Sequence, residues 1–241
     1  NQMWLDGLYM AEPFYAEWAA TFHHPEDFKD IANQFIQMEK HARDPATGLL
    51  YHGWDESRQQ AWANKTTGCS PNFWSRAMGW YGMALVDVLD YFPPDLPERK
   101  ELIAILNRYI EAVRKVQDRA TGLWWDVLNF PGRKGNYFEA SGSCMFVYTI
   151  AKAVRRGWIP ASAIITAKAG FDGILHHFIE KTANGQLNLN GTVSVSGLGG
   201  HPYRDGSFDD YSREKRRSKD PKGIGAFLLA ANEMDLLSTL P

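Results

Sequence analysis

Cysteine is nearly absent from this 241-residue chain, with only Cys69 and Cys144 present and far apart. Two such residues build neither a disulfide framework nor a zinc cluster, and they read as small buried side chains. An excess of one charge is also missing: 26 Lys and Arg face 28 Asp and Glu, a net charge of -2. That balance offers no basic footprint for nucleic acid. No stretch approaches the ~18 uninterrupted apolar residues of a bilayer span, so no membrane partner is expected. A leader sequence and an initiator Met are lacking as well; the chain opens on Asn1 and reaches Trp4-Leu5-Asp6-Gly7 at once, as though inside a domain. Runs of β-branched residues between helical stretches are absent, which argues against a Rossmann-type fold. Gly191 to Asp205 is glycine-rich but lacks the Gly-Lys-Ser/Thr ending and the preceding strand of a phosphate loop. His23-His24 and His176-His177 have no carboxylate or cysteine at ligand spacing, so neither metal nor cofactor is expected.

What the chain does have is a repeat. Gly7, Gly79, Gly142 and Gly223 are each followed 18 residues later by a proline: Pro25, Pro97, Pro160 and Pro241. The first three prolines are followed 23 to 25 residues later by Gly48, Gly122 and Gly185. Two of these lie in near-identical strings, Asp44-Pro-Ala-Thr-Gly-Leu49 and Asp118-Arg-Ala-Thr-Gly-Leu123. Between the markers two kinds of helix alternate. Gly79 to Phe92 and Ser143 to Val154 are apolar on nearly every side, as a fully buried helix must be. After each proline the pattern is amphipathic instead: Leu102, Ile103, Leu106, Tyr109, Ile110 and Val113 recur at three- and four-residue spacing. The prolines suit first helical turns, and the Thr-Gly-Leu strings suit helix stops.

Buried helices alternating with half-buried ones describe concentric rings. The expected fold is therefore all-α, an (α/α)6 barrel of helical hairpins forming one catalytic domain over residues 1–241. Four inner and three outer helices are expected from the markers, so a closed twelve-helix ring would need about five more before Asn1. An open apolar seam should follow from that deficit.

The repeat also nominates a site. Residues just before the marker glycines should ring one mouth of the barrel. Asp6, Met78, Ser141 and Lys222 precede them directly, and Trp4, Arg76, Glu139 and Asp220 lie three residues before. Asp6 is the one carboxylate in the nearer layer. Nine Trp and 13% aromatic residues supply flat faces of the kind that stack on sugar rings. Arginine grips a carboxylate bidentately, so an anionic sugar fits the mouth. Each candidate has a plainer alternative. Asp6 could simply cap the first inner helix, and Arg76 could pair with Glu139 or Asp220. His52 could be a satisfied loop histidine, Trp74 and Trp80 could be core, and Arg213 to Lys222 reads as a solvated loop.

Several strings resemble glycoside hydrolase family 105: Trp4-Leu-Asp-Gly-Leu-Tyr-Met10, Tyr51-His-Gly-Trp-Asp55, Trp74-Ser-Arg-Ala-Met-Gly-Trp80, Glu139-Ala-Ser-Gly-Ser143, Ser196-Gly-Leu-Gly-Gly200 and Tyr203-Arg-Asp-Gly206. The resemblance runs to Leu229 and implies the same barrel. It implies removal of a terminal 4,5-unsaturated galacturonic acid from rhamnogalacturonan fragments, in the cytoplasm and without metal or cofactor. It assigns the acid/base to Asp6 and substrate contacts to Trp4, His52, Trp74, Arg76 and Trp80. Further family site residues, a second aspartate among them, lie upstream of these motifs. The same barrel also serves glycoside hydrolase family 88, which prefers unsaturated glucuronyl units, and sugar epimerases, which need paired pocket histidines. A sugar-binding chain without turnover is the non-enzymatic alternative. For acid catalysis, desolvation among tryptophans and the substrate's own carboxylate are expected to hold Asp6 protonated, with Arg76 opposing the second effect if it neutralises that carboxylate.

Overall fold

The structure, a computed structural model, describes residues 1–239. Eight α-helices carry the fold: α1 (Leu5–Thr21), α2 (Asp27–Ala42), α3 (Ser75–Val88), α4 (Pro97–Lys115), α5 (Ala140–Arg155), α6 (Ile164–His177), the short α7 (Phe208–Ser212) and α8 (Pro221–Ser238). Helices α1, α3, α5 and α8 pack side by side in that order, while α2, α4 and α6 cover them from outside. This is the expected arc of four inner and three outer helices. Pro241, the last partner in the glycine–proline series, lies outside the described residues.

Helices α3 and α5, in the middle of the arc, are buried on almost every face. The marker glycines are explained there by packing. A Cβ on Gly79 would stand 2.7 Å from Met145, and one on Gly142 would stand 2.8 Å from the Ser75 hydroxyl. Only glycine lets the two inner helices approach that closely. At the ends of the arc the apolar faces meet no cover. Met10 and Phe14 on α1 are 64% and 73% exposed, and Leu228 on α8 is 61% exposed.

The amphipathic outer helices bury the expected stripe, Phe28, Ile31 and Phe35 on α2 and Leu102, Leu106, Tyr109 and Val113 on α4. The prolines behave less uniformly than expected. Pro97 opens α4, but Pro25 precedes α2 by two residues and Pro160 precedes a 3-10 turn, Ala161–Ala163, that leads into α6. The Thr-Gly-Leu strings follow the helices rather than stopping them. Each forms the same loop: the Asp44 carboxylate accepts from the Thr47 amide and hydroxyl, the Asp118 carboxylate does so from Thr121, and Gly48 and Gly122 take φ of 77° and 73°.

Three short antiparallel strand pairs were not expected. They are β1 (Gln2–Trp4) with β2 (Gly53–Asp55), β3 (Ile179–Lys181) with β4 (Leu187–Leu189), and β5 (Thr192–Val193) with β6 (Arg216–Arg217). At two or three residues each they are too short to show alternation in sequence. They tie the loops to the mouth of the arc. Among the described residues no helix is long and apolar enough to cross a membrane.

Candidate active site

The four inner helices begin in one layer, and their N-cap residues are Trp4, Trp74, Glu139 and Asp220. Asp6, Arg76, Ser141 and Lys222 are therefore equivalent, each the second residue of its helix. Counting back from the glycines had put Arg76 in the layer of Trp4 and Met78 beside Asp6. That register is wrong by two at α3, because Gly79 is placed by its contact with Met145 rather than by the start of its helix. The simple capping role for Asp6 fails too: the N-cap is Trp4, and it makes no side-chain capping bond.

A second regularity joins the loops to this layer. The residue three positions after each Thr-Gly-Leu leucine uses its carbonyl to accept the first amide of the preceding inner helix. His52 accepts from Leu5 at 3.0 Å, and Asp126 accepts from Ser75 at 2.8 Å. In the looser third repeat the acceptor is Gly191, four positions after Leu187, which takes the Ala140 amide at 3.2 Å. These bonds satisfy amides that a helix start leaves free. They also deliver the His52 and Asp126 side chains to the mouth.

His52 is fully buried and stands between two partners. Its Nδ1 is 2.8 Å from the Tyr211 hydroxyl, and its Nε2 is 3.3 Å from Asp6 Oδ1. The Nε2 and Oδ1 atoms face each other without a hydrogen bond's alignment, and neither has another partner among the described residues. Burial, with Asp126 and Asp6 nearby, pushes the Tyr211 phenol well up, so it keeps its proton. A phenol donating to Nδ1 leaves the imidazole hydrogen on Nε2, the nitrogen on the Asp6 side. The plain loop-histidine alternative thus gives way to a buried ring aimed at a carboxylate.

Asp6 is 23% exposed at the side chain, the most accessible group of this cluster. Burial pushes its carboxyl up, but the adjacent His52 ring, its own amide and the Arg76 charge outweigh that and hold it below the usual value. The desolvation expected to raise this carboxyl is present, but in the free chain the His52 imidazole and the Arg76 guanidinium outweigh it.

Arg76 is buried. Its Nε donates to Ser141 Oγ at 2.8 Å, one Nη donates to the Val193 carbonyl, and that nitrogen lies 3.7 Å from Glu139 Oε1. The ion-pair alternative with Glu139 is therefore real. The same guanidinium adds to the pull of His52 on Asp6 and of Lys222 on Asp220, and pulls down on the raised carboxyl of Asp126, so its charge reaches three carboxyls of the mouth.

Trp74 is buried, 2% exposed, and makes no open platform for a sugar. Its ring stacks on Tyr211 at 5.8 Å, lies 4.9 Å from His52, and has the Arg76 guanidinium 5.6 Å above it. Its Nε1 donates to Asp126 Oδ1 at 3.0 Å. Trp4 meets His52 edge-on at 5.4 Å. Trp80, one helical turn below Arg76 on the same face, is half-buried against Tyr9 at 4.4 Å, and Tyr9 lies one turn below Asp6. The structure thus brings Asp6, His52, Trp4, Trp74 and Arg76 together, while Trp80 lies a turn further along α3 against Tyr9; Trp4 and Trp80 are the more open tryptophans.

Two members of the site have no role assigned from the sequence, although Asp126 stands in the Trp124-Trp125-Asp126 string of the second Thr-Gly-Leu loop. Tyr211 lies 159 positions from His52, and no periodicity joins them. Asp126 had a signal, its offset from the second Thr-Gly-Leu leucine, which matches that of His52 from the first. It is fully buried; burial and the neighbouring Glu139 push its carboxyl well above the usual range, against Trp74 and Arg76. Among the described residues no cluster of three or more His, Cys, Asp or Glu could hold a metal ion.

Residues 1–237 match the family model described as Glycosyl Hydrolase Family 88. The chain belongs to this family. The family 105 resemblance stands beside that match. A solved glycoside hydrolase from family 105 of Clostridium acetobutylicum is 49% identical to this family 88 chain, with a TM-score of 0.96 over 98% of it and 65% of the solved chain. The chain thus spans about two thirds of that relative. A 24.9 kDa protein in the picA locus of Rhizobium radiobacter is 39% identical over 235 residues, 95% of this chain and 100% of its own length. The unsaturated rhamnogalacturonyl hydrolase YesR of Bacillus subtilis is 30% identical over 143 residues, 59% of this chain and 38% of YesR.

Proposed function

We propose that this chain acts in removing a terminal 4,5-unsaturated galacturonic acid from rhamnogalacturonan oligosaccharides, with Asp6 as the acid/base. The observation that carries this reading is the Asp6–His52 pair at 3.3 Å, with the Asp6 carboxyl partly open and Arg76 buried beside it. The similarity to YesR supports the rhamnogalacturonyl substrate.

An ordinary glycosidase flanks an acetal with two carboxylates. An unsaturated uronic acid is instead a vinyl ether, and one carboxyl group suffices. Asp6 gives its proton to C4, and positive charge develops at C5 and the ring oxygen. Water adds at C5 and returns a proton to Asp6. The hemiketal then opens to a ketone, breaking the bond from C5 to the ring oxygen, and the freed hemiacetal at C1 releases the aglycone.

The proton must be on Asp6 when the reaction starts, yet the surroundings hold that carboxyl below its usual value. The substrate's own carboxylate resolves the conflict. Placed beside Asp6 it raises the proton affinity, and by engaging Arg76 it removes part of that residue's opposing pull. Binding itself then creates the acid. Trp4 and Trp80 are the aromatic faces open enough to touch the sugar, while Trp74 fixes His52, Tyr211 and Arg76 from behind.

The family 88 model match supports a second reading, unsaturated glucuronyl units as substrate. Paired assays decide. Loss of the double bond's ultraviolet absorbance is followed on an unsaturated rhamnogalacturonan disaccharide and on an unsaturated glycosaminoglycan disaccharide. Faster loss on the first is expected. Faster loss on the second transfers the assignment to glucuronides, and loss on neither removes it.

A further inference from the structure

Beside the mouth lies a cavity of about 810 Å³ whose wall includes Tyr137, Arg213, Glu214, Lys215, Arg216 and Arg217. In sequence this stretch reads as a solvated loop, but the structure folds it against the candidate site. Strand β6 pairs with β5, and Val193 of β5 is the residue whose carbonyl holds Arg76. The segment begins two residues after Tyr211, the partner of His52.

Its charges are not all spent internally. Glu214 pairs with Arg204 at 3.0 Å, and Arg213 pairs with Asp210. Among the described residues no carboxylate pairs with Lys215, Arg216 or Arg217. Arg216 is held in place by Tyr137, its guanidinium 4.8 Å over the ring. Tyr137 is 9% exposed, and its hydroxyl faces the buried Asp126 carboxyl. One aromatic ring thus separates the basic cavity from the buried carboxyl that positions Trp74. Three unpaired cations around a cavity of this size, one of them seated on an aromatic face, suit a carboxylate borne on a sugar ring.

We infer that this cavity is a second anionic subsite, which takes the carboxylate of a further uronic acid on the same oligosaccharide while the terminal unsaturated unit occupies the Asp6 site. The inference rests on the proposed function for its substrate. In a chain that alternates a neutral sugar with a uronic acid, the next carboxylate arrives two sugars beyond the first. A disaccharide lacks it and a tetrasaccharide has it.

The test compares unsaturated rhamnogalacturonan di- and tetrasaccharides on the wild-type chain and on the triple variant Lys215→Gln, Arg216→Gln, Arg217→Gln. For the wild type, KM for the tetrasaccharide should be lower by ~10-fold, and the advantage should shrink at high salt because these side chains are exposed. The variant should lose the advantage and keep the disaccharide's kcat/KM. Equal KM for both substrates, or an advantage that survives in the variant, overturns the subsite. If neither substrate is turned over, the functional reading fails by itself. The subsite is then read from calorimetric binding of a saturated tetragalacturonate: binding by wild type and loss in the variant supports it, and absent or unchanged binding overturns it.

Discussion

Replacing Tyr211 by Phe removes one oxygen from the centre of the site and leaves the packing intact. The phenol is the only hydrogen-bond partner of His52 Nδ1 among the described residues, at 2.8 Å, and both residues are fully buried. Two effects should follow. A buried ring nitrogen left without its partner costs ~1–3 kcal/mol. For a domain of this size that lowers Tm by about 3–10 °C. The second effect is chemical. Without a donor at Nδ1 the imidazole no longer favours the tautomer that directs a hydrogen from Nε2 toward Asp6, and a loss of ~1–2 kcal/mol of orientation reads as about a 10-fold fall in kcat. KM should move little, because neither Arg76 nor the more open tryptophans touch the phenol oxygen. Calorimetric melting and turnover of the unsaturated disaccharide measure both. A variant with unchanged kcat would refute the claim that Tyr211 sets the state of His52, and a fall in Tm alone would reduce the phenol to a packing group.

Other perturbations have definite signs. Glu12 is buried on α1 and its carboxyl is pushed up to about 7 by burial and by Asp30. Its contribution to stability is present below the ordinary carboxyl range and is lost as pH rises through about 7, so Glu12→Gln should gain up to ~3 kcal/mol over wild type between pH 4 and pH 8; a difference in Tm that does not change with pH contradicts this. The Asp126 carboxyl, raised by burial and by Glu139, carries the same sign. Asp126→Asn should keep the Trp74 hydrogen bond and flatten the decline of stability above the usual carboxyl range, whereas Asp126→Leu should lower kcat by loosening Trp74; a Leu variant with wild-type turnover counts against the positioning role. Arg76→Ala removes the buried cation beside Glu139, which keeps its bonds from the Ser141, Gly142 and Val193 amides, and should cost about 2–4 kcal/mol of stability while raising KM for the uronate. Separate melting and kinetic measurements check the two parts, and an unchanged KM would leave Arg76 with its structural pairing alone. Because substrate raises the proton affinity of Asp6, the limb of kcat that falls with rising pH should lie at higher pH than that of kcat/KM; coincident limbs would contradict substrate-created acidity.

Much of this architecture is legible in the chain because close packing leaves marks. The two central inner helices are apolar all round and approach each other through glycine, so Gly79 and Gly142 stand where Met145 and Ser75 leave no room for a Cβ, whereas Gly7 meets nothing within 4 Å. The Asp-x-x-Thr-Gly-Leu loops repeat because the same side-chain bonds close both. Asp6, His52 and Arg76 are visible from the mouth they ring. What stays hidden depends on distance or on small displacements. Tyr211 joins His52 across 159 positions. The register at α3 is offset because a glycine fixed by packing is a poor ruler for a helix start. Trp74 looks like a sugar platform in sequence and is instead a buried strut, since its indole hydrogen goes to Asp126. The lowered carboxyl of Asp6 in the free chain is hidden because burial is readable from composition, whereas the nearness of an imidazole is a matter of ångströms.

The central claim is that one partly open carboxyl group at this mouth protonates a carbon. Its most direct test is kcat of Asp6→Asn on the unsaturated rhamnogalacturonan disaccharide, with circular dichroism confirming the fold. A loss of at least ~100-fold is expected, the usual scale of general acid–base catalysis. Turnover equal to that of the wild type would contradict the account.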